Sequence, residues 1–454
     1  MKPTKYITGL TALALATTAY ADVVINITGA TAFRSATITA IKAQYDIGNV
    51  SEGGVSYKYA HDKAALDAKS SKRSIWVGKF PGITGTTTIR CCFTGSVEGV
   101  RALNLVGTGG ATPDPSPPTY YPVGQLNGTT AANPGVEVAS PTVTGGFETL
   151  TTTSDIAFSD VNNSSTPFPN TLASNDRVGV IVFSMLSNQG SSITSVTSQQ
   201  YRAVLSKGQP LSLFTGDPLH TTKVYAVGRN DGSGTRTTAH AEIGYGITTT
   251  VKQYVNISPS DSTITKLQLV PQGGVNTLNS QPGAGQLATS KSTVWGQDVT
   301  GNGGYESGDN IAADFGKTSA IPTVYDETYG VVSTNTKVDL ITWTSIKDAN
   351  TARNANGGNG ARLCAFNGVA LDLLGTGGSL SAADKLKIKN GQYTAWGYER
   401  MFRNTTVTDK VTAYNALKGA IPANISTAGL PITTVGSETK MNVSRASDGG
   451  TVAP

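Results

Sequence analysis

The chain repeats one local pattern: a short apolar strand, a turn that contains glycine, and then a segment with helical spacing. The first copy reads "DVVINITGATAFRSATITAIKAQY", which predicts a buried strand over 23–27, a turn over 28–31 and a helix over 32–44. Alternating strands and helices are typical of an α/β fold. In such a fold the helix N-terminus lies at the carboxyl end of the strand, where free N–H groups attract an anion.

The same pattern returns further along the chain. "IRCCFTGSVEGVRAL" at 89–103 and "KVYAVGRNDGSGTRTTAHAE" at 223–242 each predict a strand, a loop and a helix. The apolar run 178–183 predicts a strand in the centre of a sheet. A helix is predicted from about 197, closed by Gly208 and Pro210. Stretches 104–150 and 270–310 are rich in small, polar and turn-forming residues and predict long loop-rich insertions.

The first 21 residues have the pattern of a secretory signal peptide. Lys2 and Lys5 precede an apolar run over 7–16, and Ala19-Tyr20-Ala21 provides a small-x-small cleavage site. We therefore expect cleavage after Ala21 and a periplasmic or secreted protein. Only 14% of residues are charged and the net charge is +5, without a basic run, which argues against nucleic acid as a partner.

The cysteines and histidines do not predict a reactive centre. Cys91, Cys92 and Cys364 are odd in number, which excludes a fully paired disulfide framework. A bridge from Cys364 to either neighbour and three buried, apolar-like thiols both remain open. Neither these cysteines nor the three histidines have metal-ligand spacing. We therefore expect no zinc site, no Cys/His nucleophile and no cofactor.

Residues 298–309, "DVTGNGGYESGD", partly match a calcium-binding loop. Asp298, Thr300, Asn302, Gly303 and Asp309 occupy positions 1, 3, 5, 6 and 12 of that template. Threonine at position 3 and aspartate at position 12 are imperfect matches. We favour a solvated glycine-rich loop and predict no metal site.

Four loops share the chemistry of an oxyanion site. Hydroxyls occur at Thr31 and Ser96, a carboxylate at Asp160, and a guanidinium at Arg229 within "GRNDGSGTR" (228–236). Hydroxyls, helix N-termini and a guanidinium all donate hydrogen bonds to anionic oxygens. Asp160 fits beside an anion if the ligand carries a proton that the carboxylate accepts. Taken alone, "GRNDGSGTR" is also typical of a plain turn.

The segments "ITGATAF", "TGSVEGV", "AFSD", "GRNDGSGTR" and "NGQYTAWGYE" together resemble the phosphate-binding proteins of the phosphate-specific ABC transporter. That family has the type 2 periplasmic-binding-protein fold. The resemblance implies an α/β protein of two lobes that close on the ligand by a hinge, here with loop-rich insertions. The lobes are expected at 22–183 with 380–454 and at 184–379, and the hinge at 183–184 and near 380.

The resemblance also implies which residues bind the ligand. Thr31, Ala32 and Phe33 match the first loop, and Ser96 matches the serine of the second. Asp160 matches the aspartate that accepts the phosphate proton. Arg229 matches the ligand arginine, and Asp231 its orienting partner. The closing hydroxyl and amide donors correspond to Ser233, Gly234 and Thr235.

The second loop differs from that of the family. Glu98 stands near the site, where we expect it either to weaken anion affinity or to face solvent. Two arginines close to these loops, Arg34 and Arg101, are expected to be solvent-facing helix residues.

The sequence thus predicts an exported, non-catalytic, monomeric solute-binding protein. It would capture inorganic phosphate between its lobes and deliver it to a membrane permease. An alternative is a structural or adhesive cell-surface protein that keeps the fold without transport. A phosphoester hydrolase would need a nucleophile beside a base, or a metal cluster, and the sequence offers neither pattern.

Overall fold

A computed structural model describes most of the chain. The described residues are 22–51, 57–62, 68–107, 118–126, 136–139, 149–169, 171–247, 249–270, 287–288, 303–318, 320–326, 330–334, 336–374, 379–425 and 429–454. The predicted signal peptide at 1–21 lies outside them. So do 298–302 of the calcium-like loop and much of both predicted insertions.

Strands and helices alternate along the chain, as the sequence predicts, and the α/β fold class is confirmed. The strands are β1 (Val23–Gly29), β2 (Lys58–His61), β3 (Arg73–Gly78), β4 (Thr87–Cys92), β5 (Thr119–Tyr120), β6 (Val136–Ala139), β7 (Leu150–Thr151), β8 (Ile156–Ser159), β9 (Ser174–Ser187), β10 (Ser195–Val196), β11 (Gln209–Pro210), β12 (Lys223–Val227), β13 (Tyr254–Asn256), β14 (Lys266–Leu269), β15 (Leu287–Ala288), β16 (Gly304–Tyr305), β17 (Thr323–Tyr325), β18 (Val331–Ser333), β19 (Asp339–Ser345), β20 (Arg362–Phe366), β21 (Leu373–Leu374), β22 (Ser379–Leu380), β23 (Trp396–Arg403) and β24 (Gly429–Pro431).

At the three predicted strand–turn–helix segments, each helix follows its strand in the predicted order. They are α1 (Arg34–Ser51), α2 (Ser96–Gly107), α3 (Ser198–Ser206), α4 (Ser212–Thr215), α5 (Gly234–Glu242), α6 (Gly308–Phe315), α7 (Ile346–Gly358), α8 (Ala382–Lys389) and α9 (Thr408–Asn424). The predicted helix from about 197 is α3. Its start is fixed by a capping box between Thr197 and Gln200. Within the described residues, no helix has both the length and the apolar character needed to cross a membrane.

A large mixed sheet is organised around the long strand β9. From Ser174 to Val182, β9 pairs antiparallel with β23, and β23 also pairs with β8. On that side, β8, β1 and β4 run parallel, so their carboxyl ends meet at one edge. From Phe183 to Ser187, β9 pairs instead with β19 and β20, and β19 runs parallel to β12. The partners of β9 therefore change between Val182 and Phe183.

Most of the buried apolar residues belong to two large cores. One core packs α1 and α9 against β1, β4 and β8, and includes Phe33, Trp76 and Phe158. A larger core surrounds β12 and β19, includes Trp343, and extends along β9 to Val180 and along β23 to Trp396.

The three cysteines are free, buried thiols. Burial raises the pKa of Cys91 to about 12 and that of Cys364 to about 11. Of the two alternatives left open by the sequence, the structure selects thiols that act as small apolar side chains.

Candidate functional site

Loops from separate parts of the chain meet at Asp160, which directly follows β8. Ser96, the first residue of α2, donates its hydroxyl hydrogen bond to Oδ1 of Asp160. Thr235, in the first turn of α5, donates to Oδ2 over 3.3 Å. A Cβ built on Gly234 would stand 1.6 Å from Asp160 Oδ1, so only glycine allows the start of α5 to approach this closely. We call Ser96, Asp160, Gly234 and Thr235 the Asp160 cluster.

The Asp160 carboxyl is 1% exposed, and its charge is costly there. Burial raises the pKa of Asp160, while the Ser96 hydroxyl, the Arg229 guanidinium and the Thr235 hydroxyl act in the opposite direction without cancelling it. A carboxylate with a raised pKa is a good acceptor for a proton that a ligand carries. The cluster therefore has the chemistry for a protonated oxyanion.

Arg229 lies in the loop between β12 and α5 and is 3% exposed. Its Nε donates to the carbonyl oxygen of Tyr305 over 3.0 Å, and its Nη2 donates to that of Glu306 over 2.7 Å. Burial lowers the pKa of Arg229, and the nearby carboxylates of Asp348, Asp160, Glu306 and Asp309 oppose this. The Arg229 guanidinium thus lies near four carboxylates, of which Asp309 also pairs with Arg34 and Glu306 with Lys72.

Asp231, which is expected to orient Arg229, is close enough to Arg236 to affect the pKa of the Arg236 guanidinium. Burial lowers the pKa of Arg236 to about 10, and Asp231 opposes that change. Ser233 caps α5, because its side chain accepts the N–H of Arg236 over 3.4 Å. The role of Asp231 toward Arg229 remains a prediction, and Ser233 serves in this structure as a helix cap.

The first predicted loop, Thr31-Ala32-Phe33, lies beside a crevice between the β1–α1 turn and the start of α6. Phe33 is fully buried, and its ring centroid is 6.2 Å from that of Phe158, so its side chain packs in the core. Thr31 lines the crevice, which has a volume of about 210 Å³. The remaining lining residues are Arg34, Asp62, Ser70, Lys72, Phe93, Glu306, Ser307, Asp309 and Asn310.

Two ion pairs cross this crevice. Arg34 Nη2 is 2.7 Å from Asp309 Oδ2, and Lys72 pairs with Glu306. The expectation that Arg34 faces solvent is wrong. Arg34 is 5% exposed, because its guanidinium extends from α1 to the first turn of α6 and pairs there with a carboxylate.

The prediction for Arg101 is also wrong, since this residue is fully buried. Arg101 Nη2 is 2.9 Å from Glu98 Oε1, one turn earlier on α2. Glu98 itself is 3% exposed, so it does not face solvent. The two opposite charges share the interior because each offsets much of the other's desolvation.

The start of α2 is occupied by the backbone of the facing loop. The carbonyl oxygen of Gly232 accepts from the N–H groups of Val97 at 3.2 Å and Glu98 at 3.4 Å. A Cβ on Gly95, whose backbone is left-handed with a φ of +128°, would lie 2.4 Å from that same oxygen. The two predicted anion-binding loops therefore touch each other directly.

Sequence reasoning missed several residues of this region. The carbonyl groups of Tyr305 and Glu306 and the carboxylates of Asp309 and Asp348 reach Arg229 only through the tertiary fold. Glu399 also lies near Asp160, and the Asp160 carboxylate adds to the effect of burial in raising the pKa of Glu399. The available signal was a single acid within the aromatic strand "YTAWGYERMF". Among the described residues, no group of three or more His, Cys, Asp or Glu side chains could hold a metal ion.

Solved structures similar to this chain are phosphate-binding proteins. An ABC-type phosphate transport receptor from Vibrio cholerae is 10% identical with a TM-score of 0.37, and the match covers 88% of this chain and 96% of that one. PstS from Borrelia burgdorferi is 11% identical with a TM-score of 0.35, covering 91% and 100%. A phosphate-binding protein from Stenotrophomonas maltophilia is 12% identical with a TM-score of 0.32, covering 82% and 90%.

These proteins belong to the class that the sequence motifs resemble. No protein-family model matches the chain, and no curated protein matches it. Because the TM-scores lie below 0.5, the function proposed next depends on the geometry of the site.

Proposed function

We propose that this chain is an exported, non-catalytic solute-binding protein that captures inorganic phosphate between its two halves. The convergence of Ser96, Asp160, Thr235 and Arg229 from three chain segments supports this proposal. Hydroxyl donors and a guanidinium suit the anionic oxygens, and the buried Asp160 suits the proton of a hydrogenphosphate. Delivery to a membrane permease is part of the proposal.

The proposed lobes are 22–183 with 380–454 and 184–379. The division is supported by the change of strand partners on β9 between Val182 and Phe183. The second connection is expected near 380, where β22 precedes α8. Closure about these two connections would bring Arg229 and the Asp160 cluster onto a ligand.

Calorimetry with inorganic phosphate on the mature chain tests this function. Arg229→Ala should abolish binding, because it removes the cation of the site. Asp160→Asn should weaken phosphate binding more than sulfate binding, because it removes the acceptor for the ligand proton. Arg202→Ala and Asp372→Asn, at more exposed positions, should bind as the parent does. The absence of heat with micromolar phosphate would contradict the proposal.

A second candidate is a structural or adhesive protein that keeps the fold without transport. It is favoured by one observation: several donors of the site are satisfied within the chain. Gly232 accepts from the start of α2, and two carbonyl oxygens accept from Arg229. A thermal-shift panel of phosphate, arsenate, sulfate and molybdate separates the two. A ligand at 100 times its dissociation constant stabilises a protein by about 2.7 kcal/mol, whereas a purely structural protein would show no shift.

A further inference from the structure

Glu399, in the middle of β23, is a buried acid that the sequence motifs do not assign to the ligand. Its relative exposure is 0%, and neither carboxyl oxygen has a hydrogen-bond partner in the part of the chain that the structure describes. A buried polar group without a partner is costly and uncommon in folded proteins. A ligand oxygen in contact with the carboxyl would provide the partner that the described residues do not.

The strand register shows which surface Glu399 faces. Gly397 lies two residues earlier on β23 and hence on the same face. A Cβ on Gly397 would be 3.2 Å from the carbonyl oxygen of Asp160 and 3.5 Å from Thr238 Cγ2. Opposite Glu399 on β9 stands Gly179, where a Cβ would be 2.1 Å from Ile425 Cδ1 and 3.5 Å from Phe33 Cε2. This face of β23 thus lies against Asp160 and α5 near Gly397, and against the apolar side chains of Phe33 and Ile425 near Glu399.

The environment of Glu399 favours the neutral, protonated form of its carboxyl. Burial raises its pKa well above the usual range, and the Asp160 carboxylate raises it further. On α5, Arg236 donates to the Arg229 carbonyl oxygen, and burial lowers the pKa of His240 well below its usual range. Several other charged groups on elements packed against β23 have partners of their own. These pairings are Arg400 with Asn175, Arg403 with the Thr405 carbonyl, Arg177 with the Tyr398 ring, Asp176 with Lys418, Arg34 with Asp309, and Arg445 with Glu242.

We propose that Glu399 is a further residue of the anion site, where its protonated carboxyl donates a hydrogen bond to an oxygen of the bound oxyanion. The proposal rests on the function proposed above. Asp160 would accept the proton that the ligand carries, and Glu399 would donate to an oxygen that has none. One acceptor and one donor side by side favour a singly protonated tetrahedral anion over a fully deprotonated one such as sulfate.

Two substitutions of nearly equal size separate hydrogen-bond donation from packing. Glu399→Gln keeps a neutral donor, whereas Glu399→Met keeps the length of the side chain and removes the donor. In calorimetry with inorganic phosphate at pH 7, the Gln variant should bind within about threefold of the parent, and the Met variant about 10- to 100-fold more weakly. Glu438→Gln, which removes a carboxylate paired with Lys385 and Lys389, serves as the control and should bind as the parent does.

Infrared spectroscopy provides a readout that does not depend on the folding of the Met variant. The parent at pH 7 should show the C=O band of a protonated carboxylic acid that the Gln variant lacks, and phosphate should shift this band. A band that is missing, or that phosphate leaves unchanged, would overturn the proposal.

The calorimetric outcomes also separate the two proposals. Equal phosphate affinity of parent and folded Met variant contradicts the role of Glu399 alone. A parent protein that gives no heat with phosphate contradicts the proposed function, and the role of Glu399 with it.

Discussion

Ser96 donates its hydroxyl hydrogen bond to the carboxylate of Asp160, although 64 positions separate the two residues. The contact joins the start of α2 to the end of β8, both at the carboxyl edge of parallel strands. Asp160 also accepts from Thr235 of α5, so one buried carboxyl links three elements.

Removal of the Ser96 hydroxyl should therefore destabilise the protein. Ser96→Ala leaves a buried carboxyl oxygen without its donor, and we expect the free energy of unfolding at pH 7 to fall by about 1–3 kcal/mol. Urea denaturation measures this change. Ser262→Ala, at an exposed serine, should stay within about 0.5 kcal/mol of the parent. A similar loss of stability in both variants would show that the hydrogen bond from Ser96 to Asp160 contributes no more than an exposed serine does.

Glu399→Gln should stabilise the unliganded protein increasingly as the pH rises. Burial raises the pKa of Glu399 in the folded state, so the folded protein holds a proton that the unfolded chain has released. Between the ordinary glutamate pKa and the raised value, stability of the parent falls with pH by about 1.4 kcal/mol per unit for this proton. The Gln variant lacks this dependence.

Urea denaturation of both proteins from pH 4 to pH 8 measures the difference. The gap between the two unfolding free energies should widen toward high pH. A gap that is constant over this range would mean that Glu399 has the same charge in the folded and unfolded states.

Gly234→Ala should disrupt the Asp160 cluster. The new Cβ would stand 1.6 Å from Asp160 Oδ1 and 2.6 Å from the Ser96 side chain, so both must move. We expect a loss of about 1–3 kcal/mol in stability and the loss of phosphate binding. Gly419→Ala in α9 is the matched control, because no atom lies within 4 Å of its Cβ. In a helix this change should stabilise by about 0.5–1 kcal/mol. Unaltered phosphate binding by the Gly234 variant would contradict the assigned site.

The ion pair between Arg34 and Asp309 should contribute modestly to stability. Burial acts to raise the pKa of Asp309, but Arg34 and Lys347 prevail and lower it to about 2. A lowered pKa means that this stabilisation is present above the ordinary aspartate pKa and is lost as the pH falls toward 2. Because the Asp309 side chain is 37% exposed, solvent limits the coupling to about 1 kcal/mol.

A double-mutant cycle of Arg34→Gln and Asp309→Asn measures that coupling. It should shrink between 0.1 M and 1 M salt, because salt screens partly exposed charges. The same cycle on Lys42 and Asp46, a more exposed pair within α1, should give a smaller value. A coupling energy of zero between Arg34 and Asp309 at low salt would show that this ion pair across the crevice does not stabilise the protein.

Local sequence patterns predicted the elements well where strand, turn and helix follow one another within about twenty residues. The strands β1, β4 and β12 and the helices α1, α2 and α5 occur where the apolar runs and glycine turns indicated. The start of α3 near 197 could be predicted for the same reason, because the capping box at Thr197 is formed by residues three apart. Parallel strand order then explains why loops after β1, β4 and β8 meet at one edge.

The environment of each side chain was decided by the tertiary structure. Arg34 and Arg101 are of a residue type that is typical of exposed helix positions. They lie in the interior because the fold brings carboxylates near them. Likewise, no local pattern places the Tyr305 and Glu306 carbonyls on Arg229, or Gly232 on the start of α2. The sequence by itself determined which segments become strands and helices and which loops carry hydroxyls and charge, because those preferences act between near neighbours. The burial and pairing of the charges depend on contacts between residues distant in the chain, and only the folded structure specifies them.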